Sequence, residues 1–297
     1  MATEDSGTSL PRRQLGRYLR KGRQDANLKL EDVAPMMQWS PSKLSRLERG
    51  EPGKLYARDI ELLCQILGFD TEQTAAMKGL AQQAVVKNWW HGFGDLIPEG
   101  FSVFVGLETS AVEMTIYRPD LVPGLFQTAD YARALDRIWF AKDSEEEQDR
   151  RIQLRMSRQT VITRKTKPAR VDIVLYESVL HAVVGGPRVM SAQLRHLADL
   201  STKPNIAIRV LPFKAGFPVG GPVGPFTMLD FGSDAKGNVV EPTVIYVESF
   251  TGAMYLEHTT DVDRYRAASI VIQQAALDAV TSRNLLRQGA REFERER

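Results

Sequence analysis

Cysteine is all but missing from this chain: Cys64 is the single one among 297 residues. That excludes a disulfide framework and any zinc site built from several cysteines, and it fits a reducing compartment. Histidine is scarce as well. His91, His181, His196 and His258 show neither a His-x3-His nor a His-Glu-x-x-His spacing, so no metal site is expected. No stretch reaches about 18 uninterrupted apolar residues, which argues against a membrane-spanning helix and a membrane partner. The opening MATEDSGTSLPRR lacks the apolar core of a secretory signal, so a cytoplasmic placement is expected. What is present is ordinary globular material. Hydrophobic residues make up 43% and charged residues 26%, far from the composition of a disordered chain. The length gives room for about two domains.

A strong net charge is also missing, since the whole chain carries only +2. The balance is uneven, however. Residues 10–58 hold twelve Lys/Arg against five Asp/Glu, an excess of seven positive charges, so the remainder is negative by five. A basic first module on a mildly acidic body points to a polyanionic partner for that module. Solvated basic patches are common, so charge alone does not decide the matter.

The chain divides by pattern. Residues 1–10 read as a polar tail and 11–85 as almost wholly helical. Residues 86–100, which include KNWWHGFGDLIPEG, read as a linker. Residues 101–297 mix strand-like and helix-like segments. The expected architecture is therefore multi-domain: an all-α five-helix first domain, then an α/β or α+β domain built on a mixed sheet.

The first helix is expected over about 12–26, with Leu15, Tyr18, Leu19 and Ala26 near one face and Gly16 and Gly22 allowing close packing. The second covers about 30–37 and buries Val33, Ala34 and Met37. The third has the sharpest limits. Ser40 suits the N-cap, Pro41 the first helical position and Gly50 the stop. Trp39 and Leu44 have the spacing of a hydrophobic staple. Two more helices are expected at about 58–67, stopping at Gly68, and 71–84. Only Gln38, Trp39 and Ser40 separate helices two and three, the turn length of a helix-turn-helix.

Helix three then divides by face. Leu44 and Leu47 point inward, which leaves Ser42, Lys43, Arg46 and Arg49 outward. Arg and Lys pair with guanine edges and Ser serves either base pair, so Ser42, Lys43 and Arg46 are the expected groove-facing residues. Ser40, Ser45 and Arg49 complete the DNA-binding candidates on this helix. Arg12, Arg13 and Arg17 are candidate phosphate contacts from helix one, as are the backbone N–H groups opening helices two and three.

The string RRQLGRYLRKGRQDANLKLEDVAPMMQWSPSKLSRLERGE resembles the Cro/repressor-like, xenobiotic-response-element type of helix-turn-helix. The matching pieces are Leu15-Gly16 with Leu19-Arg20, the run Leu30 to Ala34, and the run Ser40 to Gly50. The resemblance covers about residues 10–70 and implies a transcriptional regulator that binds double-stranded DNA. Glu48 then reads as structural, because a carboxylate facing phosphate is repelled. Two positions depart from the pattern. Lys29 replaces the usual Ser or Thr cap of helix two, a loss of about 0.5–2 kcal/mol. Pro35 lies within helix two and removes a hydrogen bond, so that helix is expected to be bent or short.

Beyond residue 100, a strand is expected at 103–107, a helix at 109–116, a turn at 122–124, and helices at 125–140 and 145–164. Further strands are expected at 171–176, 206–211, 225–229 and 243–247, with helices at 189–200 and 261–286. This region resembles the C-terminal domain of the actinobacterial WhiJ-like regulators. The resemblance rests chiefly on VPGLFQTADYARAL (122–135), with Arg155-Met156-Ser157-Arg158-Gln159, Val184-Gly185-Gly186, Val210-Leu211-Pro212-Phe213 and Tyr246-Val247-Glu248. It implies transcriptional control, often alongside a small protein encoded nearby in an antitoxin-like arrangement.

Glu108, Glu177 and Glu248 each fall at or just past an expected strand end, where open α/β sheets bind ligands. Surface acids or helix starts are the plainer reading of all three. With Gln127, Tyr131, Arg155, Arg158 and Gln159 of the resembling strings, they are the candidates for a ligand or partner pocket. Cys64 reads as a buried small hydrophobe rather than a nucleophile. The loop GFPVGGPVGP (216–225) lacks the Gly-Lys-Ser/Thr of a phosphate loop. Trp89, Trp90 and Phe93 read as interface packing, and EFERER (292–297) as an exposed helix end.

No catalytic constellation is legible, so neither an enzyme nor a cofactor is expected. The leading expectation is a sequence-specific, nucleoid-associated DNA-binding regulator, dimeric through its second domain. The alternatives are an antitoxin-like module that binds a small partner protein, and a regulator responding to a small-molecule effector.

Overall fold

The computed structural model describes residues 9–51, 53–85, 89–93, 95–97, 101–233, 237 and 239–296. Residues 1–8 of the expected tail, and 86–88, 94 and 98–100 of the expected linker, lie outside them. The chain gathers into two compact units, Met1–Ser110 and Ala111–Arg297.

The first unit is all-helical. Its helices are α1 (Leu10–Asp25), α2 (Leu30–Met36), α3 (Pro41–Glu48), α4 (Ala57–Ile66), α5 (Thr71–Val85) and α6 (Phe101–Ser110). Leu15, Leu19, Val33, Leu44, Leu47, Ile60 and Leu63 form its core, with Trp39 packed on the edge. Gly16 earns its place by close approach: a methyl there would lie 2.7 Å from the Glu48 carbonyl oxygen.

The first four helices stop in the same way. Each has a left-handed residue just past its end: Asn27, Gln38, Gly50 and Gly68. The next residue then donates its N–H five positions back, as in Leu28 to Arg23, Trp39 to Ala34, Glu51 to Arg46 and Phe69 to Cys64. This is the Schellman stop, which satisfies carbonyls the helix end would orphan. Two of the four carry the expected Gly; Asn27 and Gln38 do the same work with a side chain.

The described residues of the second unit form six strands: β1 (Glu113–Arg118), β2 (Arg170–Tyr176), β3 (Ile206–Leu211), β4 (Phe226–Asp230), β5 (Val244–Ser249) and β6 (Gly252–Leu256). Their spatial order is β3-β2-β1-β4-β5-β6. The β1, β2 and β3 strands run parallel, and β4, β5 and β6 are joined antiparallel. The sheet is thus mixed, as the sequence led us to expect. Between β1 and β2 lie α7 (Ala129–Trp139), α8 (Glu145–Arg158) and α9 (Thr160–Thr163). Between β2 and β3 lie α10 (Ser178–His181) and α11 (Pro187–Leu200), and α12 (Thr259–Ala275) and α13 (Ala279–Arg295) follow the last strand. On one sheet face Tyr117, Val174, Phe226, Met228 and Ile245 pack with Val262 and Ile272 of α12. Their strand neighbours Ile116, Ile173 and Leu229 point the other way and are buried too, so both faces are covered.

Several expected elements are corrected. Residues 103–107 are helical, inside α6, and 113–118 form β1 rather than the end of a helix. The helix expected from 125 begins at Ala129, because Thr128 is its cap and accepts from the Tyr131 N–H at 3.3 Å. The helix expected over 145–164 is broken at Gln159. The one expected over 261–286 is broken at 276–278, where the Asp278 carboxylate caps a new start by accepting from Val280 and Thr281. The β6 strand was not expected.

The two sheet edges differ. At β3, the Leu277 N–H donates to the Val210 carbonyl and the Val210 N–H donates to Ser282 Oγ, both at 2.9 Å. At β6, no described strand pairs with the outer side, and its sequence GAMYL carries no charge.

Candidate nucleic-acid interface

The turn between α2 and α3 is built from its sequence. Gln38 takes φ 54°, Trp39 turns its ring to the core, and Ser40 Oγ accepts from the Lys43 N–H at 3.2 Å. Pro41 follows at the first helical position. Leu44 and Leu47 are buried, while Ser40, Ser42, Lys43, Arg46 and Arg49 are exposed and Ser45 is half-buried. A short helix thereby presents serine, lysine and arginine side by side on one outward face. The Lys43 ammonium lies 3.9 Å over the Trp39 ring, a cation–π contact that steadies it beside the turn. A cleft of about 180 Å³ runs along this face, lined by Ser42, Lys43, Arg46, Glu51 and Lys54 among others.

Behind it, Glu48 is buried and paired with Arg23 through two hydrogen bonds of 2.7 and 2.8 Å. The hydrogen bond to Glu48 holds the Arg23 guanidinium above its ordinary pKa, and the two-bond contact ties α1 to α3. Its inward place matches the structural role read from the resemblance.

Arg12 requires a correction. It is 2% exposed. Its Nε donates to the Glu51 carbonyl at 2.7 Å and its Nη2 to the Gly53 carbonyl, so it clamps the loop after α3 from within instead of standing on the surface. Arg13 and Arg17 are half-buried on α1. Arg13 lies against Gly50, where a methyl would come 2.8 Å from its Cα.

The start of α2 is also different from expectation. Lys29 donates its backbone N–H to Asp32 Oδ2 at 2.7 Å, and Glu31 stands beside it. Two carboxylates there turn that helix end away from phosphate. Pro35 lies in the last turn of this seven-residue helix, which is short as expected.

Glu51 was missed by sequence reasoning. Its Oε1 accepts from Arg49 Nε at 2.6 Å and its Oε2 from Arg46 Nε at 3.0 Å. The hydrogen bond from Arg49 is the main reason its carboxyl lies below the usual range, so it is ionised at neutral pH. The only sequence signal was its place immediately after the helix stop at Gly50.

Of the candidates for a pocket, Gln127, Arg155 and Gln159 are joined by hydrogen bonds around one turn of the second unit, and the three glutamates have other places. Gln127, Tyr131 and Arg158 are buried. Gln127 Nε2 donates to the Val122 carbonyl (2.6 Å), Arg155 Nη1 donates to Gln127 Oε1 (2.6 Å), and Gln159 Nε2 donates to the Gln127 carbonyl (2.7 Å). Arg155 Nη2 reaches Asp136 at 2.7 Å, and burial pushes the Asp136 carboxyl up despite that cation. Gln193 grips the same turn, accepting from the Thr128 N–H and donating to the Phe126 carbonyl, both at 2.7 Å. Gln127, Gln159 and Gln193 thereby hold the backbone of the turn 122–128. Glu177 accepts from the Phe213 N–H at 2.6 Å, and exposed Glu248 lies 3.7 Å from Arg118. Glu108 lies buried in α6 of the first unit, not at a strand end. The hydrogen bonds thus bring Gln127, Arg155 and Gln159 together, while Glu177, Glu248 and Glu108 meet other partners or lie elsewhere in the fold.

Cys64 is buried, and desolvation pushes its thiol up to about 11, which suits a packing residue. Trp90 is buried and Trp89 meets it edge-on, with centroids 5.8 Å apart. No described helix is long and apolar enough to cross a membrane.

Comparison with known families fits this geometry. Residues 14–77 match the family described as Helix-turn-helix domain, which spans α1 to α4 and into α5. That matched part of the first unit is a helix-turn-helix DNA-binding domain, and the protein is a DNA-binding regulator. No curated protein and no solved structure matches the chain. Residues 101–288 match the family described as Domain of unknown function (DUF5753), and over that larger part of its length the chain belongs to this family.

Proposed function

We propose that this chain is a sequence-specific transcriptional regulator of the Cro/repressor-like type, which reads the major groove with α3. The observation that carries the reading is the division of α3. Leu44, Leu47 and Glu48 are spent inside the unit, while Ser42, Lys43 and Arg46 are turned outward along its first turns, where recognition helices contact base edges. Arg49 and Arg17 flank this face as phosphate contacts, and Arg13 sits beside the α3 stop. The reading assigns no reaction to the chain.

The test is direct. The full chain should bind duplexes from its own upstream region saturably, with an affinity that falls as salt rises. Arg46→Ala should weaken that binding by about 1–3 kcal/mol more than binding to random DNA, if Arg46 reads a base. Equal loss on both duplexes would make Arg46 a phosphate contact, and no binding to either would end the reading.

The second unit carries assembly and control in this reading. Its β6 edge, on whose outer side no described strand pairs, supports a homodimer, because natural monomers blunt such edges with charge, proline or a covering element. A two-fold dimer would read paired half-sites about 34–36 Å apart. A second reading follows the WhiJ-like, antitoxin-like resemblance: a small protein encoded nearby covers the exposed ring pair Trp139 and Phe250, whose centroids lie 5.5 Å apart. Mass measurement of the protein from its native host separates the two.

A further inference from the structure

Three of the four Schellman stops in the first unit end on an apolar residue. Leu28, Trp39 and Phe69 each occupy the closing position and pack on the core. That is the usual partner of this motif. The stop of α3 departs from it, since its closing residue is Glu51, and the carboxylate turns outward instead of inward.

The backbone of Glu51 is fixed from two sides. Its N–H donates to the Arg46 carbonyl at 3.0 Å, and its carbonyl accepts from the buried Arg12 at 2.7 Å. The same guanidinium holds the Gly53 carbonyl. So anchored, the short side chain divides its two oxygens between Arg49 at 2.6 Å and Arg46 at 3.0 Å. Both contacts use Nε, the edge of the guanidinium next to its stem. Arg49 is further tied to Ser45 Oγ at 2.7 Å. The two arginines are thereby oriented before any nucleic acid arrives, and one negative charge offsets part of theirs.

We propose that Glu51 is a specificity-determining positioning residue, which aims Arg46 at base edges and lowers the attraction of the Arg46–Arg49 pair for phosphate. The proposal rests on the reading that α3 enters the major groove. Non-specific binding follows the number of phosphates neutralised and is independent of sequence. Base reading depends on the guanidinium arriving in the right plane, and an oriented fork loses less freedom when it binds. A carboxylate in this position therefore weakens binding to a wrong duplex, while on the right one the better aim of Arg46 offsets that loss, so the gap between the right duplex and the rest widens.

The test uses the full chain. Duplexes are selected in vitro from a random pool with the wild-type protein. The best of them and a scrambled version are then titrated by fluorescence anisotropy across a salt series, with wild type, Glu51→Gln and Glu51→Ala. Glu51→Gln should bind the scrambled duplex about threefold to tenfold tighter, with a steeper salt dependence, and the selected duplex no tighter. The preference for the selected duplex then falls by about that factor, and Glu51→Ala moves it the same way. A thermal melt confirms that both variants fold, which the backbone hydrogen bonds of Glu51 lead us to expect. An unchanged preference, or equal weakening on both duplexes, would overturn the role of Glu51 while leaving the groove reading intact. A wild-type chain that selects no duplex would bring down both.

Discussion

Arg12 and Arg23 both lie on α1 and both turn inward, yet they do different work. Arg12 binds backbone carbonyls and shapes the loop after α3. Arg23 meets the buried Glu48 in a two-bond ion pair. Glu48→Gln should destabilise the first unit by roughly 3 kcal/mol, because it leaves a buried guanidinium without its counter-charge. Chemical denaturation checks this, and a loss below about 1 kcal/mol would show the pair to be replaceable. In the second unit His196 supplies a pH dependence. Burial lowers its pKa, so the folded state disfavours the imidazolium that the unfolded chain accepts. Stability is then present above the ordinary histidine pKa and lost as pH falls from about 7 to about 5. Asp136 and Asp172 act in the opposite sense. Burial raises their pKa, so their contribution is largest when they are protonated and is lost as pH rises. The melting temperature of the second unit should fall between pH 7 and 5, and His196→Gln should flatten that slope. At this scale the sequence disclosed the inward Glu48 by charge logic. It did not disclose Arg12, because a count of cations does not tell which one a nearby carbonyl pair will claim.

Among the elements, the helix stops and starts of the first unit were the most legible part of the fold. Ser40, Pro41, Gly50 and Gly68 each force a local conformation that needs no tertiary partner. Gln38 hides the same stop under an ordinary side chain. A non-glycine residue at φ 54° pays about 1–2 kcal/mol, while glycine loses about 0.5–1 kcal/mol of chain entropy on folding. Gln38→Gly should therefore stabilise the first unit by about 0.5–1 kcal/mol, and Ser40→Ala should cost about 1 kcal/mol through the lost cap. A calorimetric melt of each variant decides, and a destabilising Gln38→Gly would mean that the Gln38 side chain contributes packing. The exchange of helix and strand between 101 and 118 has a different cause. FSVFVGLETS is rich in aromatic and β-branched residues, yet it forms a helix with Phe104, Val105 and Leu107 buried. A segment apolar on most sides carries no period to read. EMTIYR does alternate, and Met114 and Ile116 face one way along β1. The β6 strand was hidden because Gly252 and Ala253 have low strand propensity; its pairing with β5 makes it a strand.

At the scale of the whole molecule, positive charge is concentrated in residues 10–58, which hold the helix-turn-helix, and that concentration was visible from the first count. The control half was less legible. Among its expected pocket residues, Gln127 and Gln159 bond to backbone carbonyls of one turn, and a polar residue in a sequence looks the same whether it faces a ligand or its own backbone. What the sequence did not mark at all is the contrast between the two sheet edges. The β3 edge is closed by Leu277 and Ser282. The β6 edge offers the uncharged run Gly252–Leu256 with Met254 exposed, beside Phe250, which is 85% exposed. If two copies pair along β6, a charge placed on that strand must be desolvated twice in a two-fold interface, once for each copy. Met254→Lys should then convert the dimer to a monomer in light scattering at micromolar concentration. It should leave the melt of the first unit and its binding to a single half-site unchanged, while binding to a paired site falls by at least about tenfold, because the second half-site no longer benefits from tethering. A dimer that survives Met254→Lys with its paired-site affinity intact would remove β6 from the interface and return attention to the Trp139–Phe250 pair.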